Sequence, residues 1–165
     1  MNAEDLKKYS SMDLLGLHVD ALKELRARGV LRSENPPAGD LAEFLFCKAF
    51  GWRQAENSEK GFDAEDRDGI RYQIKARRPH QHNTSRQLSA IRDLDGFQIL
   101  AAVLFDEQFN VTRAALIPQT LVHQESKFIA RTNSYKFMLV DAVWTDKRVK
   151  EVTQVLKDCV VQEMS

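Results

Sequence analysis

The sequence predicts a mixed α/β domain: one sheet with helices packed against it. Three observations predict it. Apolar residues recur at helical spacing in two segments of the first fifty residues. Two strand-like segments, 61–66 and 70–77, flank a turn at Asp68-Gly69. The run FQILAAVLF, Phe97–Phe105, is apolar at every position but Gln98, as a strand covered on both faces would be.

Each element follows in order. Over residues 12–28, Leu14, Leu15, Val19, Leu22 and Leu25 fall near a 3.6 period and Gly29 closes the helix. Pro36 and Pro37 break the chain. A second helix runs from about Asp40 to Phe50, with Leu41, Leu45 and Ala49 on one face, Phe44 beside it and Gly51 as its stop. After the strand pair, Thr84 to Asp93 reads as a short helix capped by Thr84 or Ser85. The strand 97–105 turns around Asp106–Gln108 into a strand over 109–117, and Pro118 starts a helical turn. Residues 136–143 read as a further strand. Val149, Val152, Leu156, Cys159 and Val160 mark a closing helix over 146–161.

The 165 residues suffice for one domain with a core, so a single domain is expected over 1–165. No apolar stretch is long enough to span a bilayer, and MNAEDLKKYSSMD lacks the apolar core of a signal peptide. Cys47 and Cys159 sit in apolar helical patterns and read as buried reduced thiols, so the cytoplasm is the expected compartment. Formal net charge is zero, but its distribution is uneven. Arg71, Lys75, Arg77, Arg78, Arg86 and Arg92, with His80 and His82, occupy a stretch free of acids; Glu56 to Asp68 is mainly acidic, with six acids against Lys60 and Arg67. Two solvated faces that neutralise each other would produce the same pattern.

The hairpin is the candidate site. In IRYQIKAR, Tyr72, Ile74 and Ala76 share one face and Arg71, Gln73, Lys75 and Arg77 the other. A two-residue loop at Asp68-Gly69 would set Asp63 against Ile74 and turn it to the core. Asp66-Arg67-Asp68-Gly69 instead fits a type I turn with the glycine left-handed, which pairs Asp66 with Ile70 and Asp63 with Gln73. Asp63, Gln73 and Lys75 then share a face. A carboxylate and an amide oxygen suit Mg²⁺, and Lys75 would orient or help deprotonate a water. A surface hairpin with cross-strand ion pairs uses the same residues.

Asp63 followed by Gln73-x-Lys75 after a hairpin, with an acid on the preceding helix GDLAEFLFCKAFG, resembles the PD-(D/E)xK phosphodiesterase superfamily. The chain also looks like a family of small uncharacterised bacterial proteins with the pattern GDxAE…SxKGxDAxxxxGxRYQIKxR. The resemblance covers about residues 40–117 and implies a restriction-endonuclease-like fold with an αβββαβ core. It leaves outside it the helix over 12–28 and the one over 146–161. It implies a Mg²⁺-dependent DNA endonuclease, with Mn²⁺ an alternative ion, that leaves 5′-phosphate ends in restriction or repair. Asp63 would be the principal metal ligand, Gln73 would take the place usually held by Glu or Asp, Lys75 would be the motif lysine, and Glu43 would be the helical acid holding water or a second metal. Gln73 removes a charge relative to that pattern, which leaves open a catalytically inactive nucleic-acid-binding module of the same fold. A structural or regulatory protein in which Asp63 and Lys75 merely pair is the reading from another class.

Around this site Arg71, Arg77, Arg78, His80, His82, Ser85 and Arg86 are candidate DNA contacts. Pro79–His82 also reads as a polar loop, since two histidines without further ligands do not specify zinc. Asn57, Ser58 and Lys60 would line the same cleft or form a loop. Trp52 and Trp144 read as packing residues. Cutting both strands needs two sites, which fits a homodimer.

Overall fold

Period-two alternation in the run Ile99–Phe105 sorts the core into two layers. Ala101, Val103 and Phe105 face one cluster of buried side chains, and Leu100, Ala102 and Leu104 face the other. The computed structural model describes residues 3–164 apart from 57, 58 and 60. The chain runs α1 (Ala3–Leu6), α2 (Ser11–Ala27), α3 (Pro37–Phe50), β1 (Arg53–Gln54), β2 (Ala64–Glu65), β3 (Arg71–Arg77), β4 (Ile99–Phe105) and β5 (Val111–Pro118). It continues through α4 (Gln119–Glu125), β6 (Lys127–Ile129), β7 (Ser134–Lys136), α5 (Asp141–Thr145), β8 (Lys150–Glu151) and α6 (Thr153–Met164).

Six strands form one mixed sheet in the order β1-β2-β3-β4-β5-β8. Only β3 and β4 pair in parallel; the other neighbours are antiparallel. The predicted α/β class with flanking helices therefore holds. α3 and α6 cover one face through Leu41, Ala42, Leu45, Phe46, Leu156 and Cys159. Gly51 ends α3 in the left-handed conformation, as its position in the sequence predicts. Trp52 follows it and stacks on Tyr72 with ring centroids 3.6 Å apart, so it packs, as expected. Both cysteines are free thiols, Cys159 buried and Cys47 half-buried. Among the described residues, no helix is long and apolar enough to cross a membrane.

The second face departs from expectation. Residues 84–93 are not helical. Leu88 and Ile91 send their N–H groups to Phe137 O and Tyr135 O, both at 3.1 Å, and Tyr135 N–H returns to Ile91 O at 2.7 Å. The main chain thus pairs with a distant segment instead of with itself, and Leu88, Ile91, Leu94 and Phe97 still reach the core. Neither Thr84 nor Ser85 caps a helix. The strand expected over 136–143 is shorter and earlier, at Ser134–Lys136, and Asp141 opens α5. The closing helix begins at Thr153, because Lys150 and Glu151 first pair with Leu116 and Ala115 at the sheet edge. α2 forms where predicted, but none of its residues is fully buried.

Candidate active site

The hairpin closes as its turn residues dictate. Ala64 pairs with Tyr72 and Glu65 with Arg71. Asp66 N–H donates to Ile70 O at 3.0 Å, Gly69 N–H donates to Asp66 O at 3.2 Å, and Gly69 is left-handed at φ +79°. Asp66 locks the loop. Its Oδ1 accepts from the N–H groups of Asp68 and Ile70, and its Oδ2 accepts from the Tyr72 hydroxyl at 2.8 Å.

Continuing this register sets Asp63 level with Gln73, and there the ladder ends. Asp63 N–H donates to Tyr72 O at 2.8 Å, one residue out of step. The Asp63 carboxylate takes over as acceptor: its Oδ2 receives Ile74 N–H at 2.7 Å and Gln73 Nε2. Asp63 thus sits where β2 parts from β3. Burial pushes its carboxyl up, against the Ile74 N–H, the Lys75 charge and the Gln73 amide, which pull it down.

α3 brings Glu43 to the same place. Asp40 anchors the start of α3 by accepting from Arg32 N–H, Ser33 N–H and the Ser33 hydroxyl. One turn on, Glu43 Oε2 accepts from Gln54 Nε2 at 2.7 Å and lies 3.9 Å from Arg32 Nη1. Its carboxyl is also raised, by burial first and then by the charge of Asp63. Glu43 and Asp63 are thus two half-buried carboxylates, and the charge of the second disfavours ionisation of the first. Lys75 makes no hydrogen bond or ion pair among the described residues, so no Asp63–Lys75 bridge closes the site.

Gln73 and Lys75 line a cleft of about 590 Å³ with Gly61, Ala90, Arg92 and Asp93. The non-helical segment 88–96 forms its far wall. Two glycines pin that wall: a Cβ at Gly96 would lie 2.6 Å from Gly61 O and 2.7 Å from Gly61 Cα. Arg92 is exposed and, like Lys75, has no hydrogen-bond or ion-pair partner among the described residues. Sequence reasoning placed Arg92 in the basic stretch without singling it out, and it missed Gln54, Arg32, Asp93 and the Gly61–Gly96 contact. The first two were hidden because nothing local links residues 32, 43 and 54.

The candidate DNA contacts divide. Arg71 and Arg86 are paired with carboxylates, Glu65 at 3.4 Å and Asp141 at 2.7 Å. Arg77 donates to Ser85 O at 3.0 Å, and Arg78 donates to Glu107 O at 2.8 Å while lying 4.4 Å from the Phe109 ring centroid. These two keep uncompensated charge but fixed geometry. His80 and His82 are exposed on a loop, with ring centroids 6.4 Å apart. Ser85, a candidate DNA contact, does not open the expected helix; its Oγ accepts Gln87 N–H instead. Asn57, Ser58 and Lys60 lie outside the described residues.

The donor set suits a hard divalent cation in type, if not in number. Asp63 Oδ1, Glu43 Oε1 and Gln73 Oε1 accept no hydrogen bond among the described residues, and all three are oxygens. Among the described residues no cluster of three or more His, Cys, Asp or Glu side chains is placed to hold a metal. No protein-family model matches the chain. No curated protein matches it either.

Proposed function

We propose that the chain is a Mg²⁺-dependent DNA endonuclease of the PD-(D/E)xK type, acting in the cytoplasm in restriction or repair. The observation that carries this reading is the Asp63 carboxylate at the β2–β3 split, tied to Gln73 and Ile74 and within electrostatic reach of Glu43 and Lys75. The element order α3, β1, β2, β3, crossover, β4 also follows the αβββαβ core, with an irregular crossover in place of its second helix.

Asp63, Glu43 and Gln73 would hold the ion. Bound there, it would supply positive charge to a non-bridging phosphate oxygen and acidify a water. The chain's own groups supply the rest. The hydrogen bond from Ile74 N–H fixes Asp63 Oδ2 and leaves Oδ1 directed elsewhere. Gln54 does the same for Glu43. Lys75 orients the attacking water and offsets charge that builds on the phosphate. Arg92, across the cleft, takes a second phosphate oxygen. Water adds to phosphorus in line with the leaving 3′ oxygen; the P–O3′ bond breaks, leaving a 3′-hydroxyl and a 5′-phosphate.

One observation favours a second reading. Gln73 turns its amide nitrogen, not its oxygen, toward Asp63, an arrangement that serves a silent nucleic-acid-binding module without any ion. Crystals soaked in Mn²⁺ separate the two. The nuclease reading expects an anomalous peak within about 2.0–2.2 Å of Asp63, with Gln73 rotated to present its oxygen. No peak there at saturating Mn²⁺ favours the silent module.

A further inference from the structure

The small β6–β7 hairpin sets two like charges against each other. From 126 to 140 the chain carries Lys127, Arg131 and Lys136 and no acid. Lys127 and Lys136 are direct partners in the antiparallel pair, so their side chains share one face. Like charges placed opposite one another destabilise a strand pair. No carboxylate offsets them: neither lysine, nor Arg131 in the turn between the strands, makes a side-chain hydrogen bond or ion pair among the described residues. Phe128 and Tyr135 take the other face, with ring centroids 5.2 Å apart.

The hairpin also continues the wall of the cleft. Ile91 N–H donates to Tyr135 O at 3.1 Å and Tyr135 N–H donates to Ile91 O at 2.7 Å. β7 therefore runs between β6 and the segment that forms the far wall. Ile91 and Tyr135 both turn to the second core layer. The neighbours of Ile91, Ala90 and Arg92, turn the other way and line the cleft. By the same alternation Lys136, next to Tyr135, and its partner Lys127 turn to the cleft side. Adjacent strands lie about 4.8 Å apart, so two spacings carry Lys127 roughly 10 Å beyond the wall segment.

We propose that the β6–β7 hairpin is a second DNA-binding element, in which Lys127 and Lys136 grip one backbone phosphate of the strand that leaves the cleft. The inference rests on the DNA reading of the cleft. A phosphate set between the two ammonium groups turns their repulsion into two charge-assisted contacts. At about 3.4 Å of rise per nucleotide, the roughly 10 Å offset sets this phosphate about three nucleotides from the one that Arg92 takes. Arg131, in the turn, meets the same backbone further along. Lysines meet phosphate as point charges and read no base edge, so the hairpin adds affinity and holds the strand in place without choosing a sequence.

Fluorescence anisotropy of the full chain with a fluorescein-labelled duplex of about 20 base pairs, in EDTA over a salt series, tests it. Lys127→Ala with Lys136→Ala should raise the Kd more than about fivefold at low salt and flatten the log–log salt slope by about 0.9, the value for one phosphate. The same variant should melt no lower than wild type, because it removes a repulsion. Lys127→Arg with Lys136→Arg should keep the wild-type Kd and slope. An alanine pair with unchanged Kd and slope overturns the proposal, whether or not the chain cuts DNA. An alanine pair that melts well below wild type overturns it as well, because the lysines would then be supporting the fold. A wild type that does not cut in Mg²⁺, yet binds through the lysine pair, removes the nuclease reading and upholds the hairpin. A wild type that binds no duplex at low salt overturns both.

Discussion

Gln73→Glu places a carboxylate against one already there. In the wild type Gln73 Nε2 donates to Asp63 Oδ2, and losing a hydrogen bond to a charged acceptor costs about 1.5–3 kcal/mol. Two carboxylates about 4 Å apart at an effective dielectric near 20 repel by about 4 kcal/mol more. Uptake of a proton by one of them relieves part of this, so the net loss in EDTA is about 2–4 kcal/mol. For a chain of 165 residues each kcal/mol moves the melting midpoint by about 2–4 °C, which gives a drop of about 5–15 °C. Mg²⁺ should reverse it. An ion at a hundred times its Kd returns about 2.7 kcal/mol, and three carboxylates bind it more tightly than two. Differential scanning calorimetry in EDTA and in about 10 mM Mg²⁺ reads both effects, and cutting by the variant should persist to lower Mg²⁺ than in wild type. Equal midpoints in EDTA, or the same Mg²⁺ increment in both chains, would refute the reasoning.

Gly96→Ala should cost about 1–3 kcal/mol in urea denaturation and weaken oligonucleotide binding, because its Cβ meets the Gly61 main chain at 2.6 Å; a wild-type midpoint would show that the cleft wall is not pinned there. Cys47 should resist Ellman's reagent at pH 8: burial and then the Glu43 charge push its thiol up to about 12, leaving a thiolate fraction of about one in ten thousand. Titration of both thiols of the native chain within seconds would contradict that. Arg77→Ala with Arg78→Ala should flatten the salt dependence of DNA binding by about 0.9 in log–log slope for each phosphate that the two arginines neutralise. Arg86→Ala should leave the slope unchanged, since Asp141 already meets that charge; no wild-type binding at low salt would remove every DNA reading.

What was legible in the sequence was local. Asp66 and Gly69 specify their loop by turn chemistry alone, and the loop fixes the register that brings Asp63 to Gln73. The run Ile99–Phe105 reads as a doubly covered strand because every position is apolar. Gly51 marks its helix end through the left-handed conformation that glycine, unlike other residues, adopts freely. The misreadings were non-local. Leu88, Ile91 and Leu94 recur every three residues and imitate a helix face, but their main chain is claimed by residues 135 and 137. Val149 and Val152 fit one helical period, yet they pack on opposite faces of the sheet, separated by the edge strand at Lys150–Glu151. The spacing that makes α2 a helix says nothing of how little of it the rest of the chain covers. Likewise Gln54 beside Glu43 and Gly96 against Gly61 arise only once the sheet has formed.

Single-turnover cleavage of end-labelled duplex DNA in Mg²⁺, by wild type and Asp63→Ala purified in parallel, tests the central claim most directly. Wild type should cut, leave 5′-phosphate ends and stop on addition of EDTA. Asp63→Ala should bind the DNA and not cut it, and Lys75→Ala should lose most cutting while keeping much of the binding. Cleavage unchanged in Asp63→Ala, with contaminating nuclease excluded, would show that the β2–β3 split is not the active site.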